Sequence, residues 1–268
     1  MHQIKTYSTV TLVVAGLLTG IVAGRADNVP RASAPSAPAD TDVVKDWHGS
    51  VALGLSVTQG NSKTLTSNGA WELAKLWKTD EWRFGADGQY GVNNFGAKTN
   101  EVINAENVHG FVDYKRLFTE RLFGDARADA WHDDVADLQN REVIGPAVGY
   151  YFIKTDASRL NGEVGGSYEH QRQGGTDSNF FNLRVGEHGE HNWGKRAKVW
   201  EEANYLPKVD NFSTYLLLTE LGAEASMTTQ FSLRVVFQDR YNSAPAPGRV
   251  PNDLAILASL VYKFGQAE

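Results

Sequence analysis

Apolar and polar side chains alternate with a period of two residues along most of this chain. In the segment 82–93, Trp82 and Phe84 fall on one face, whereas Arg83 and Asp87 fall on the other. Successive side chains of a β-strand point to opposite faces, while a helix with this sequence would spread its charges around the axis. The pattern therefore predicts β-strands and argues against a helical membrane protein.

The alternation recurs in enough segments to close a sheet on itself. Strands are predicted at 47–58, 64–78, 82–93, 101–118, 121–135, 141–154, 159–171, 179–193, 198–209, 212–228, 230–240 and 253–264. Bacterial outer-membrane barrels with an even strand number have short periplasmic turns and longer outer loops. The short connections at 79–81 and 119–120 alternate with longer ones such as 94–100, 173–178 and 244–252. We therefore expect an all-β fold, an antiparallel transmembrane β-barrel of about 12 strands.

The N-terminal region has the composition of an export signal. Residues 1–26 carry Lys5 ahead of an apolar stretch at 10–23 and end in small residues. That stretch of about 14 residues is shorter than the roughly 20 that a membrane-spanning helix requires, so a cleaved signal is favoured over a membrane anchor. Residues 27–44, rich in Pro, Ala and Ser, are predicted to be a disordered leader. The barrel is assigned to 45–268.

Composition narrows the chemistry and the partners. The net charge of −6 would become −8 on removal of the signal, which contains two basic residues and no acidic one, so nucleic acid is a poor partner. Cysteine is absent, which excludes disulfides, thiolate metal sites and a cysteine nucleophile. No cofactor is expected. The expected partners are outer-membrane lipid and, during biogenesis, the barrel-assembly machinery, which favours aromatic-ended final strands such as 253–264; the oligomeric state is left open.

Five tryptophans lie close to the predicted periplasmic ends of strands. They are Trp47, Trp77, Trp82, Trp193 and Trp200. Amphipathic indole rings favour the boundary between hydrocarbon and water, so these residues are predicted to form an interfacial aromatic belt. In a soluble barrel the same residues would be core tryptophans.

Charged side chains recur on the face opposite the apolar one, which in a membrane barrel faces the lumen. The predicted lumen-lining residues are Asp125, Arg127, Asp129, Glu163, Glu169, Arg184, Arg234 and Arg240. Charges screened from bulk water require partners, so the opposite signs predict ion pairs in a narrow or plugged lumen. The alternative is a polar path whose wall charges set the selectivity for ions or small solutes.

Short motifs resemble one known family. Four motifs are similar to those of the salt-induced outer-membrane protein family, whose function is unknown. They are Trp-His-Gly-Ser-Val at 47–51, the Gly-Asn-Ser turn within 58–64, the glycine-rich run 145–150 after Arg141, and Leu-Asn-Gly-Glu-Val-Gly at 160–165. Ala147 stands where that pattern has another glycine. The resemblance implies an outer-membrane barrel without an established reaction.

Three residue sets contain side chains that could carry chemistry. His48 and Ser50 share a face but lie at the predicted periplasmic end, away from outer-leaflet lipid. Strand alternation divides Glu187-His188-Gly189-Glu190-His191 between two faces, so at most two metal ligands converge. His132-Asp133-Asp134 could bind a cation, but the segment 132–134 is more typical of a solvated loop. We therefore predict a non-enzymatic barrel that maintains the envelope under osmotic or salt stress or passes small solutes. A lipid-modifying enzyme and a soluble periplasmic barrel binding an apolar ligand are the alternatives.

Overall fold

The computed structural model describes residues 47–58, 63–94, 96 and 100–265. The predicted signal, the leader and the Gly-Asn-Ser turn lie outside the described residues. Within those ranges the chain forms β1 His48–Thr58, β2 Thr64–Leu76, β3 Asp80–Asn93, β4 Val102–Leu117, β5 Leu122–Asp133, β6 Leu138–Lys154, β7 Ser158–Gln173, β8 Thr176–Trp193, β9 Ala197–Pro207, β10 Tyr215–Ser226, β11 Phe231–Asn242 and β12 Asn252–Phe264. No helix in the described part of the chain is both long and apolar enough to cross a bilayer.

The strands form one closed antiparallel barrel. Each strand pairs with its sequence neighbours, and β1 closes the ring on β12 from Gly49 opposite Phe264 to Leu53 opposite Leu260. Closure leaves no unpaired strand edge, which matters wherever water cannot satisfy backbone groups. The predicted fold class is confirmed, and the strand ends differ from the predicted ones by at most three residues.

The connections define two different ends of the barrel. At one end, which we call the short-turn end, tight turns join β2 to β3, β4 to β5, β6 to β7, β8 to β9 and β10 to β11. The opposite end, which we call the long-loop end, carries the longer connections 94–101, 208–214 and 243–251. One predicted outer loop, 173–178, is instead a tight hairpin. Gly174 and Gly175 have φ values of 59° and 72°, which permits the two-residue turn that matches strand twist.

Large apolar side chains cover the outer surface of the barrel. The exposed ones include Val51, Leu53, Leu55, Val57, Trp71, Tyr90, Val108, Val112, Ile144, Val148, Tyr150, Val164, Phe181, Val185, Leu221, Leu233, Val235, Phe237, Ile256, Leu260 and Tyr262. A continuous apolar surface of this extent is unfavourable in water and is the surface that hydrocarbon requires. A soluble barrel, whose apolar face would point inward, does not fit this arrangement.

The lumen is not wholly polar, and this was not predicted. Val143 of β6, Leu206 of β9 and Leu216 of β10 form a buried apolar cluster inside the barrel, near its long-loop end. Arg240 of β11 contacts Asp133 of β5 at 2.6 Å, although these strands lie half-way round the ring from each other. Opposite walls therefore meet at this end, so the barrel interior is narrow there.

Candidate functional site

Two of the cavities formed by the described residues lie in the lumen. The long-loop cavity, of about 80 Å³, is bordered by residues including Trp131, Leu206, Leu218, Glu220 and Gln238. The short-turn cavity, of about 90 Å³, is bordered by residues including Arg83, Asp113, Lys115, Arg159 and Glu190. Four residues border both cavities: Arg127, Arg184, Glu202 and Asn204. We call these four the junction, because they lie where the two cavities adjoin.

Arg184 crosses the lumen at the junction. It extends from β8 to Asp125 of β5, at 3.1 Å, and also contacts Glu163 of β7. Gly186, the register partner of Glu163, leaves space for that side chain against the wall, because a Cβ atom there would lie 3.0 Å from Glu163 Cγ. One cation between two carboxylates is a favourable arrangement in a site screened from water, where an unpaired charge is costly.

Arg127 belongs to a second buried network. It contacts Asp129 at 2.8 Å on the same strand and lies 4.3 Å from the centre of the Phe111 ring. His109 lies between two carboxylates, with Asp129 and Asp87 each at 3.0 Å, and stacks on Trp131 with ring centres 4.7 Å apart. The network ties β3, β4 and β5 together along the lumen wall.

The other predicted lumen residues also face inward and are paired. Glu169 contacts Arg141 at 2.9 Å. Arg234 contacts Glu224 at 2.8 Å, and Glu224 also contacts Lys263. Arg240 contacts Asp133 at 2.6 Å and Asp253 at 3.4 Å. The structure thus places all eight predicted residues in the lumen, and most of their partners lie on strands other than their own.

Several residues that border the cavities are not among the predicted lumen residues. Among them are His109, Asn204, Glu202, Glu220 and Gln238. Strand parity could have found some of them, because Gln238 shares the face of Arg234 and Arg240. Nothing local, however, indicates that β4, β9 and β10 bring their polar side chains to the same cavity.

A loop covers part of the long-loop mouth. The β11–β12 loop, residues 243–251, lies against the β7–β8 hairpin. A Cβ atom added at Gly174 of that hairpin would be 3.4 Å from Pro247 Cδ and 3.5 Å from Ala246 Cβ. Ala246 is buried by this contact. The loop therefore extends over part of the opening above Arg240.

Four of the five belt tryptophans are exposed at the short-turn end: Trp47, Trp77, Trp82 and Trp193. Trp200 does not belong to the belt, which corrects that part of the prediction. It is only 1% exposed, lies in the lumen opposite Gly222 and donates from Nε1 to Glu220 Oε1 at 2.6 Å. Its face follows from strand parity, because Trp200 has the same parity as Lys198 and Glu202 rather than that of Glu201.

In the described part of the chain, the three residue sets with possible chemistry do not assemble a metal centre. His48 and Ser50 are buried in the lumen near the short-turn end, and His188 and Glu190 face the lumen while Glu187 faces outward. His132 contacts Asp134 at 3.2 Å near the long-loop end. Within the ranges that the structure describes, no group of three or more His, Asp or Glu side chains is arranged to hold a metal ion.

The structure has the features of a transmembrane β-barrel protein. Its antiparallel barrel is closed, its exterior is apolar with aromatic side chains at one end, and its lumen is charged. Residues 51–264 match the family described as protein of unknown function, DUF481, and the chain belongs to that family. No curated protein matches the sequence. This match does not show the salt-induced designation of the family that the motifs resemble, and a role in the envelope under osmotic or salt stress remains a prediction.

Three solved structures of similar shape are distant from this chain in sequence. The NanC porin is 9% identical over 80% of this chain and 98% of its own, with a TM-score of 0.49. An outer-membrane channel from Pseudomonas putida F1 is 8% identical over 87% and 100%, with a TM-score of 0.49. The KdgM porin is 7% identical over 82% and 99%, with a TM-score of 0.45. These likenesses are too distant to assign a solute.

Proposed function

We propose that the protein lies in the outer membrane, with its short-turn end towards the periplasm, and passes small polar solutes through its lumen. The observation that carries the proposal is the pair of lumen cavities that meet at the junction. Charged side chains line both cavities and the junction between them. Wall charges are the means by which a narrow pore selects its solutes.

The same geometry indicates a narrow pathway. Arg184 spans the junction, and the contact between Arg240 and Asp133 joins opposite walls nearer the long-loop end. A solute must separate or pass beside both contacts. We therefore expect small, discrete conductance steps rather than the current of a wide, water-filled pore.

Thiol labelling tests the pathway cleanly, because the chain contains no cysteine. Asn204→Cys places a thiol at the junction, while Ala203→Cys places one on the neighbouring residue, whose side chain has the outward parity. Both proteins would be inserted into planar lipid bilayers and treated with a charged, water-soluble methanethiosulfonate reagent. The reagent should reduce the conductance of Asn204→Cys and leave that of Ala203→Cys unchanged.

Two results would contradict the proposal. One is the absence of conductance steps from correctly folded protein, judged by its heat-dependent mobility on electrophoresis. The other is equal block of the two cysteine variants, because block at an outward-facing thiol cannot report on the lumen.

A second candidate function, modification of membrane lipid, is favoured by one contact. Ser158 Oγ lies 2.8 Å from His191 Nδ1 beside Trp193, at the short-turn end and on the outward face. If this pair acts on lipid, Ser158→Ala should abolish lipid turnover by the purified protein in vesicles. Turnover that persists in Ser158→Ala, or that is absent from the wild type, excludes this candidate.

A further inference from the structure

The cations that border the long-loop cavity are balanced by carboxylates. Three arginines contact three aspartates: Arg127 with Asp129 at 2.8 Å, Arg184 with Asp125 at 3.1 Å, and Arg240 with Asp133 at 2.6 Å. His109 lies between two carboxylates, as described above. An anion in the cavity would have to compete with these carboxylates for their cations, and separating a buried ion pair is costly.

The two glutamates that border the cavity are partnered as well. Glu220 accepts hydrogen bonds from Trp200 Nε1 at 2.6 Å and from Gln238 Nε2 at 2.8 Å. Glu202 accepts a hydrogen bond from Asn204 Nδ2 at 2.8 Å. A cation in the cavity would therefore displace donors that these carboxylates already have, so neither sign of charge is favoured at this wall.

Two neutral polar atoms at this cavity lack a partner. Among the described residues, nothing forms a hydrogen bond with Gln238 Oε1 or with Ser167 Oγ. The two residues are only 5% and 4% exposed, and both border the cavity. Asp239 also borders it, but its side chain has the parity of the exposed Phe237 and points to the outer face. Buried polar atoms normally have partners, so the cavity presents an amide oxygen that needs a donor and a hydroxyl that can donate or accept.

The two unpaired atoms lie on different parts of the wall. Gln238 belongs to β11 and Ser167 to β7, and these strands are four positions apart in the ring. A single solute that bonds to both therefore needs hydrogen-bonding groups on more than one of its carbon atoms. Hydroxyl groups suit both positions, because a hydroxyl can donate to the amide oxygen and can either donate to serine or accept from it.

The remaining wall is apolar. Val143, Leu206, Leu218 and Trp131 border the cavity on the side of the buried apolar cluster. An apolar lining with a few polar groups is typical of sites for small molecules. On a scale where one water needs about 10–15 Å³, a cavity of about 80 Å³ holds roughly five to eight groups of that size. The space suits a short carbon chain that carries several hydroxyl groups.

We propose that the long-loop cavity binds small neutral polyols, with hydroxyl groups at Gln238 and Ser167 and the carbon chain against the apolar wall. The inference rests on the proposed function, since it names a class of solute that the lumen holds. Ions that carry current pass the same cavity without being held there, because the charged groups that point into it are already partnered. Water would satisfy the two unpaired atoms but not the apolar wall, which the carbon atoms of a polyol cover.

Saturation-transfer difference NMR tests the inference, because it detects weak binding. The probe is erythritol, a four-carbon polyol, added to the protein folded in deuterated detergent, with empty micelles as the blank. Erythritol should receive saturation from the protein, and neither n-butylammonium nor n-butyrate should displace it at equal concentration. Ser167→Ala should weaken erythritol binding about two- to tenfold, the change expected from the loss of one neutral hydrogen bond. Ser67→Ala is the matched control, because it makes the same change on β2 at a residue with the parity of the exposed Trp71.

Erythritol that receives no saturation would overturn the inference and leave water as the occupant of the cavity. Displacement of erythritol by either ion, or equal weakening by Ser167→Ala and Ser67→Ala, contradicts it as well. If Ser167→Ala fails to fold, Gln238→Met replaces it and should weaken erythritol binding by at least the same factor. Block of Asn204→Cys by the thiol reagent without erythritol binding refutes only this inference. Erythritol binding without conductance refutes only the channel.

Discussion

Replacing Val235 by arginine tests whether the outer face of the barrel meets hydrocarbon. Val235 is 50% exposed and lies between Ala223 of β10 and Ala258 of β12. It is four residues along β11 from Phe231. With a rise of about 3.4 Å per residue and a strand tilt of about 40°, it lies roughly 10 Å above the strand end, near the middle of an apolar band about 25 Å tall.

An arginine at that depth should lower the free energy of unfolding by about 2–4 kcal/mol, whereas one near the boundary should cost about 0–1 kcal/mol. The matched control is Met227→Arg, in the β10–β11 turn at the short-turn end, where the side chain is 62% exposed. Equilibrium denaturant titration of protein folded into lipid vesicles, followed by tryptophan fluorescence, measures both values. Equal losses in the two variants would refute a lipid-facing exterior.

Three further predictions concern the lumen. Arg184→Met should lower the free energy of unfolding by about 3–5 kcal/mol, because two buried carboxylates lose their cation; an unchanged titration would contradict that pairing. Gly222→Ala should cost about 1–3 kcal/mol, because its Cβ would lie 1.9 Å from Trp200 Cζ2, and wild-type stability would contradict the placement of that indole. Asp133→Asn should raise the single-channel conductance by weakening the contact with Arg240; a wild-type conductance would show that this contact does not limit the path.

The strands were predictable because each is a local pattern. Alternation along 82–93 or 253–264 depends only on which side chains stand two residues apart, so the fold class, the strand number and the inward face of Arg234 and Arg240 follow from it. The exposed tryptophans Trp77 and Trp193 were predictable for the same reason, since each lies beside a strand end. The belt prediction was wrong for Trp200, because nearness to a strand end does not decide which face of the sheet a residue occupies.

The candidate site was only partly predictable because its contacts join strands far apart in the chain. The sequence indicates that Asp125 and Arg184 face inward. Only closure of the barrel brings the Asp125 carboxylate on β5 to 3.1 Å from the Arg184 guanidinium on β8. Likewise, the adjacency of Glu202 and Glu220 depends on the register of β9 against β10.

Side-chain periodicity along the chain therefore determined that this protein is a barrel with an apolar exterior and charges inside. Tertiary structure alone decided that the barrel is narrowed near one end, where Arg240 meets Asp133 and Val143 packs against Leu206. The physical reason is that a strand pattern specifies the direction in which a side chain points, whereas the distance to the opposite wall depends on the cross-section of the closed sheet.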